Sequence, residues 1–333
     1  MSATGRAMAR DVDWQPLALV PAVMALALPL TGDATTWLTL TIAGLAMGMI
    51  FFFVASGLTL VFGLMDVLNF GHGIFIALGA FVAVSVVGAP TLLGAGDSLP
   101  GALGVVALAM AAAGLAAGAA GWAFERIVVR PVYGQHLKQI LITMGAMIVG
   151  EEIIKVIWGP QQQPLMLPAA LQGTVFLFEA PVEKFRVLAV VLGALVFAGM
   201  VLLLARTKLG LLIRAGVQDR EMVEALGYHV HRLFVGVFIA GSALAGLGGV
   251  LWAWYQQMAV PQIGAQVNVL IFIVIIIGGL GSTGGALIGA LLLGLVANYA
   301  GFIAPQAAAF SNIALMLAIL LWRPQGLYPV AQR

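Results

Sequence analysis

The segment TWLTLTIAGLAMGMIFFFVASGLTLVF, residues 36–62, decides the fold because it contains no charged side chain. A helix of this length is long enough to cross a hydrocarbon core of about 30 Å. Similar apolar runs recur along the 333-residue chain, which is 62% hydrophobic and only 8% charged. A soluble domain carries about 25% charged residues. The sequence therefore predicts an all-α, polytopic membrane protein with a single transmembrane domain, residues 1–333.

Ten apolar segments are candidate membrane spans, and they leave no room for a sizeable soluble domain. The eighth and ninth are short and interrupted by glycine, so they form either one long kinked helix or a re-entrant pair. Asp11 and Asp13 precede the first segment and no clear cleavage pattern follows it, so we interpret it as a span and not as a signal peptide. The segments are 16–31, 36–62, 67–88, 101–124, 139–158, 186–205, 233–256, 267–280, 284–303 and 308–322.

Lys and Arg are concentrated in alternate loops. The loops at 125–138 and 206–232 are basic, whereas those at 89–100 and 257–266 contain no Lys or Arg. The longer loop at 159–185 is almost uncharged until Glu179. The positive-inside rule therefore predicts that both termini and the 206–232 loop are cytoplasmic and that the 159–185 loop is periplasmic.

The composition also excludes several functions. The chain has no cysteine, which excludes disulfides and thiolate metal sites, and we predict neither a metal nor a cofactor. The net charge of +2 reflects membrane topology, so no nucleic-acid partner is predicted. The motifs of P-loop nucleotide hydrolysis, zinc proteases and serine hydrolases are missing from the sequence, so no enzyme activity is predicted.

The stretch GLMDVLNFGHGIF, residues 63–75, places polar side chains in this apolar sequence. Asp66, Asn69 and His72 would share one face of a continuous helix, but the neighbouring glycines make a continuous helix doubtful. One interpretation is a tight cytoplasmic turn, with Asp66 hydrated and Asn69 capping the third span. The other is an unwound segment that lines a cavity, with Asn69 and His72 beside the path of a polar substrate.

A second polar group occurs in the fifth segment. Glu151 and Glu152 are intramembrane carboxylates, which are functional candidates by default. Lys155 is four residues beyond Glu151, a spacing that allows an ion pair. The two interpretations are a structural ion pair at the outer vestibule and a substrate contact or gate.

The loop RAGVQDREMVEALGYHVHR, residues 214–232, predicts a short amphipathic helix. Asp219 is a candidate N-cap and Gly227 a candidate stop. Met222, Val223 and Leu226 fall on one face and Arg220, Glu221 and Glu224 on the other. Because the charges have both signs, they suit a protein partner better than an anionic lipid surface. The predicted docking residues are Gln218, Asp219, Arg220, Glu221, Met222, Glu224, Ala225, Leu226 and Gly227.

Two weaker patterns leave alternatives open. GHGIFIALGA, residues 71–80, loosely echoes GGALIGALLLG, residues 284–294, which would pair the third span with the ninth in parallel halves. Reversed halves would instead pair the third span with the eighth.

The intramembrane Glu151, Glu152 and His72 also suit a proton-coupled secondary transporter, and a passive channel is a third possibility.

Several segments together resemble one family. The chain is similar to the LivH-type membrane permease subunits of bacterial branched-chain amino-acid ABC importers. The resemblance covers most of the chain from residue 57 onward. It lies in GLTLVFGLMDVLNFGHGIFIALGAFVA (57–83), ERIVVRPVYG (125–134), RAGVQDREMVEALGYHVHRLFVGVFIAGSALAGLGGVL (214–251), IIGGLGSTGGALIGALLLGL (276–295) and LLWRPQGLYP (320–329).

The resemblance implies a ten-helix permease of the type II importer kind in the bacterial inner membrane. Its implied partners are a second permease, either LivM-like or an identical copy, two cytoplasmic ATP-binding subunits and a periplasmic solute-binding protein. It also implies that residues 216–228 are the coupling helix, with Glu224 to Gly227 a partial docking sequence. Glu151 and Glu152 depart from the family's pattern, and relatives carry urea, short amides or aromatic acids as well as branched-chain amino acids.

Overall fold

The computed structural model describes residues 14–65, 67–92, 94–218 and 220–329, which form twelve α-helices and four short strands. The helices are α1 (Trp14–Thr31), α2 (Ala34–Met65), α3 (Gly73–Val87), α4 (Leu99–Phe124), α5 (His136–Trp158), α6 (Lys184–Arg206), α7 (Lys208–Gln218), α8 (Arg220–Ala225), α9 (Val230–Gln256), α10 (Ile263–Gly278), α11 (Thr283–Ile303) and α12 (Pro305–Trp322). The strands are β1 (Gln163–Pro164), β2 (Thr174–Leu177), β3 (Ala180–Glu183) and β4 (Met258–Ala259).

Each of the ten predicted spans coincides with one helix. The other two described helices, α7 and α8, lie in the predicted cytoplasmic loop at 206–232. Seven of the helices are long and apolar enough to cross a membrane. The two shorter apolar helices are α1 and α10. The remaining segment, α5, carries Glu151, Glu152 and Lys155. A multi-pass membrane protein is confirmed, whereas the count of ten crossing helices stays a prediction.

The eighth and ninth segments form a helical hairpin and not one kinked helix. Gly279 and Gly281 adopt positive φ angles of 97° and 79°, which end α10 and turn the chain. The Ser282 side chain then accepts a hydrogen bond of 3.1 Å from the Gly285 amide and caps α11. The helices α10 and α11 pack antiparallel, and the backbones of Gly278 and Gly285 are in contact.

The helix α2 is central and packs against α9, α10, α11 and α6. The helix α9 packs in turn against α2, α3 and α4. The packing of these helices has an internal symmetry in which α2 corresponds to α9, α3 to α10 and α4 to α11. Each pair of helices that pack together in one half has a corresponding packed pair. The corresponding helices α2 and α9 run in opposite directions. This arrangement favours the reversed pairing of the halves, in which the third span matches the eighth.

The loops gather at two ends of the helix bundle. At one end, which we call the basic end, Gly63 packs on Gly281, and Leu327 donates a 2.8 Å hydrogen bond to the carbonyl of Ile277. At the opposite end β1 pairs with β4, and β2 pairs with β3 in a hairpin. These four short strands lie in the loops at 159–185 and 257–266, and the predicted all-α fold class is confirmed. The loops alternate between the two ends, and which end faces the cytoplasm stays a prediction.

Candidate functional site

The third span begins after a break in the chain's helical structure. Asn69 has extended backbone angles of φ −98° and ψ 93°, and a 3₁₀ turn at Phe70–His72 precedes α3. The Asn69 Oδ1 atom accepts a 2.9 Å hydrogen bond from the Gly71 amide and so caps the turn. The capping role predicted for Asn69 is present, and Asn69 and His72 do not share one continuous helix. Asp66, the third polar residue of this stretch, lies outside the described residues.

The break lies deep in the helix bundle. The His72 ring is fully buried against α2, where a methyl group added to Gly57 would lie 3.2 Å from His72 Cε1. Gly57 is eight residues before the end of α2 at Met65, or about 12 Å of helix. Neither ring nitrogen of His72 makes a hydrogen bond of ordinary geometry to the described residues, although the Val54 backbone lies beside the ring. The turn therefore lies inside the helix bundle, about 12 Å from the end of α2.

Side chains from two other helices hold the break in place. The Phe70 amide donates a 3.1 Å hydrogen bond to Thr143 Oγ1 on α5. The Asn268 Nδ2 atom on α10 donates a 2.9 Å hydrogen bond to the Phe70 carbonyl. The Phe70 ring also stacks on Phe272, with centroids 4.4 Å apart. Both backbone groups of Phe70 are therefore satisfied in a segment that has no regular helix to satisfy them.

The face of α5 that supplies Thr143 carries polar or polarisable residues at intervals of four. These residues, which we call the α5 stripe, are Gln139, Thr143, Met147, Glu151 and Lys155. Residues four apart share a helix face, and this stripe extends over about 24 Å. Gln139 and Thr143 are buried at its inner half. The stripe thus extends along most of α5 and winds gradually around the helix, because a spacing of four residues slightly exceeds one turn.

The outer half of the stripe borders a crevice between α3, α5 and α10. Lys155 Nζ lies 2.9 Å from Glu151 Oε1 and 2.7 Å from Glu152 Oε1, so the predicted ion pair is present and includes both carboxylates. The Glu151 side chain is 22% exposed and that of Glu152 is 63% exposed, and only Glu151 borders the crevice. The crevice is lined by Gly73, Ile74, Ala77, Met147, Glu151, Ile154, Pro261, Gly264 and Ala265.

The predicted pathway residues therefore form two separate groups. Asn69 lies at the level of Thr143, whereas Glu151 is eight residues, or about 12 Å, farther along α5. Three polar residues at this junction were not predicted from the sequence: Gln139, Thr143 and Asn268. The four-residue spacing along α5 and the lone amide of Asn268 in the apolar run of α10 were the signals that could have identified them.

The predicted docking residues lie at the junction of α7 and α8. The structure divides the predicted helix 216–228 between the end of α7 and α8, which ends at Ala225. Gly227 follows with a φ of 87°, as expected of a helix stop. Met222 and Leu226 are 61% and 70% exposed, whereas Val223 is buried, so the predicted apolar face is only partly covered.

Other predicted docking residues can be placed only in part. Glu224 and Ala225 are exposed on α8. Gln218, Arg220 and Glu221 belong to α7 and α8, but their side chains are outside the described structure. Asp219, the predicted N-cap, lies outside the described residues altogether.

A comparison with protein families identifies the chain. The family described as the permease component of the branched-chain amino acid transport system matches residues 40–322. The chain belongs to this family. The match includes the break before α3, the α5 stripe and the α7–α8 segment, and the predicted LivH-type resemblance is confirmed. As a permease component, the protein is a transport subunit and not an enzyme.

Individual relatives agree with this assignment. The chain is 28% identical to the high-affinity branched-chain amino acid transport system permease protein BraD of Pseudomonas aeruginosa, over 85% of this chain and 93% of the relative. It is 26% identical to LivH of Escherichia coli, over 85% and 92%. It is also 26% identical to LivM of Escherichia coli, over 85% of this chain and 69% of LivM. No solved structure matches the chain.

Proposed function

We propose that the protein is one permease subunit of an ATP-driven importer that takes up branched-chain amino acids, or a related small polar solute, from a periplasmic binding protein. The observation that carries this proposal is the family match over residues 40–322, because it includes the polar helix junction and the α7–α8 segment together. The relatives BraD and LivH are named for branched-chain amino acid transport and are covered almost completely by the match.

In this proposal the solute passes the junction of α3, α5 and α10. Glu151 borders the outer crevice, with Glu152 beside it, and Asn69 lies farther in at the break before α3. His72 is fully buried and packs against α2. Polar groups of this kind are costly in lipid and are usually kept where they meet a substrate or one another. The α5 stripe supplies polar contacts along most of α5.

The α7–α8 segment is the proposed docking site for one of the two ATP-binding subunits. Met222 and Leu226 present exposed apolar side chains, and Gly227 ends the helix beside them. Two exposed apolar residues within a mixed-charge sequence are typical of a protein interface, in which apolar contacts are surrounded by polar ones. The orientation with both termini and this segment in the cytoplasm follows from the basic loops.

The importer also requires a second permease. The similarity to both LivH and LivM supports a pair of related permeases, and the partner in this proposal is a LivM-like chain or an identical copy. Mass determination of the purified permease pair would distinguish these two cases.

Co-purification with candidate ATP-binding subunits tests the docking proposal. We expect a stable complex, and we expect simultaneous charge reversal at Arg220 and Glu224 to uncouple transport from ATP hydrolysis while the permease stays folded. Solute flux by the lone chain that is driven by a proton gradient would instead support a secondary transporter and overturn the proposal.

A further inference from the structure

Three buried side-chain amides near the start of α3 have atoms without a hydrogen-bond partner among the described residues. The atoms are Asn69 Nδ2, Gln139 Oε1 and Asn268 Oδ1. Asn69 is fully buried, Gln139 is 1% exposed and Asn268 is 5% exposed. A buried polar atom without a partner destabilises the folded protein, so three such atoms in one region require an explanation.

The amides of Asn69 and Asn268 lie at the 3₁₀ turn before α3, and Gln139 is one helical turn before Thr143, which also bonds to that turn. Asn69 directly precedes Phe70, and Asn268 donates to the Phe70 carbonyl. Thr143 accepts a hydrogen bond from the Phe70 amide and donates a 2.6 Å hydrogen bond to the backbone carbonyl of Gln139. The side chains of Asn69 and Asn268 are therefore at Phe70, and the backbone of Gln139 is connected to it through Thr143.

For two of the unpaired atoms, the hydrogen bond made by the other atom of the same amide shows whether the unpaired atom is the nitrogen or the oxygen. Asn69 Oδ1 accepts from the Gly71 amide, so the free atom of Asn69 is its NH₂ donor. Asn268 Nδ2 donates to the Phe70 carbonyl, so the free atom of Asn268 is its acceptor oxygen. The site thus offers one donor from Asn69 and acceptors from Gln139 and Asn268.

We propose that this site binds water inside the membrane-spanning bundle. Water accepts from a donor and donates to two acceptors, which is the combination that Asn69, Gln139 and Asn268 present. A metal cation would be repelled by the Asn69 NH₂ group and would prefer carboxylate ligands. Among the charged residues of the α5 stripe, Glu151 is two turns farther out and pairs with Lys155. A neutral donor and two neutral acceptors therefore favour water over an ion.

The bound water explains how the chain tolerates extended backbone deep in the bundle. Irregular backbone at membrane depth is stable only where protein or water satisfies its polar groups. Thr143 and Asn268 satisfy the backbone of Phe70. The water satisfies the remaining polar atoms of Asn69, Gln139 and Asn268. This inference concerns the structure of α3 and stands whether or not the transported solute follows this junction.

Radiolytic hydroxyl-radical labelling of the full-length chain in lipid nanodiscs tests the proposal, because bound water generates radicals beside buried side chains. The reporter is Phe124, whose Cζ atom is close to the position that a Gly71 Cβ would occupy. The control is Phe185, which is 1% exposed and stacks edge-on against Trp254. We expect labelling of Phe124 at a rate several times that of Phe185. Equal rates would overturn the proposal.

A variant pair separates bound water from the slight exposure of Phe124 itself. The double substitution Gln139→Leu with Asn268→Leu should reduce labelling of Phe124 to the rate of Phe185. The matched control Asn298→Leu removes an amide on α11 that bonds to the Gly294 carbonyl, and it should leave labelling unchanged. Unchanged labelling in the double variant would contradict the proposal.

Two measurements on the unmodified protein do not depend on the variants folding. Replacing sodium chloride by choline chloride should leave the labelling of Phe124 unaltered, and a sodium-dependent change would assign the site to a cation instead. A cryo-electron microscopy map that resolves ordered water elsewhere should contain a density peak within hydrogen-bonding distance of Asn69 Nδ2, Gln139 Oε1 and Asn268 Oδ1. The lack of that peak in such a map would refute the bound water.

Discussion

The contact between α3 and α10 gives the sharpest quantitative prediction, through the substitution Gly264→Ala. A Cβ atom on Gly73 would lie 2.5 Å from the Gly264 carbonyl oxygen, and a Cβ atom on Gly264 would overlap the carbonyl of Gly73. Ordinary van der Waals contact begins at 3.4 Å. The two helices must therefore separate by roughly 1 Å to accept the methyl group of alanine.

The expected cost has two parts. Overpacking of a tight contact costs about 1–3 kcal/mol. A separation of about 1 Å would also stretch the 2.9 Å bond from Asn268 Nδ2 to the Phe70 carbonyl beyond hydrogen-bond range, which costs about 0.5–1.5 kcal/mol. We therefore expect Gly264→Ala to lower the free energy of unfolding by about 2–4 kcal/mol.

Denaturant titration of the purified protein in mixed micelles measures this change. The matched control is Gly145→Ala on α5, because a Cβ atom at Gly145 meets nothing within 4 Å. Alanine at that position should be neutral or should stabilise the helix by up to about 1 kcal/mol. If both substitutions change the free energy of unfolding by the same amount, the close approach of α3 and α10 is not as described.

Three further predictions concern the same helices and the docking segment. Glu151→Gln should reduce solute uptake more than Glu152→Gln, because both carboxylates pair with Lys155 but only Glu151 borders the crevice; equal uptake by the two variants would remove Glu151 from the path. Thr143→Val should lower the free energy of unfolding by about 1 kcal/mol more than Thr59→Val, because only Thr143 accepts the Phe70 amide, and equal effects in denaturant titration would contradict this. Leu226→Asp should weaken co-purification with the ATP-binding subunits without changing the unfolding midpoint, since Leu226 is exposed; undiminished binding would exclude it from the interface.

The positions of the helices could be predicted from hydropathy, because a membrane span must be apolar and helical over its length. Only part of the structure of residues 63–75 could be predicted from the sequence. The capping residue Asn69 is a local feature and was identified. The depth of the turn depends on Gly57 of α2, Thr143 of α5 and Asn268 of α10, which are distant in sequence.

The candidate site was predictable to a similar extent. The ion pair of Glu151 with Lys155 follows from a spacing of four residues on one helix and was expected. The unequal positions of Glu151 and Glu152 depend on where α3 and α10 pack against α5, which helical periodicity does not determine. The α8 helix stop at Gly227 was likewise predictable, whereas the exposure of Met222 and Leu226 depends on tertiary packing.

Solute uptake by reconstituted vesicles tests the central claim most directly. Vesicles should contain this chain, its second permease and the two ATP-binding subunits, with ATP on the side of the α7–α8 segment and solute-loaded binding protein on the other side. We predict uptake of a radiolabelled branched-chain amino acid that requires both ATP and the binding protein. Uptake that continues without ATP, without the ATP-binding subunits and in response to a proton gradient alone would contradict the account.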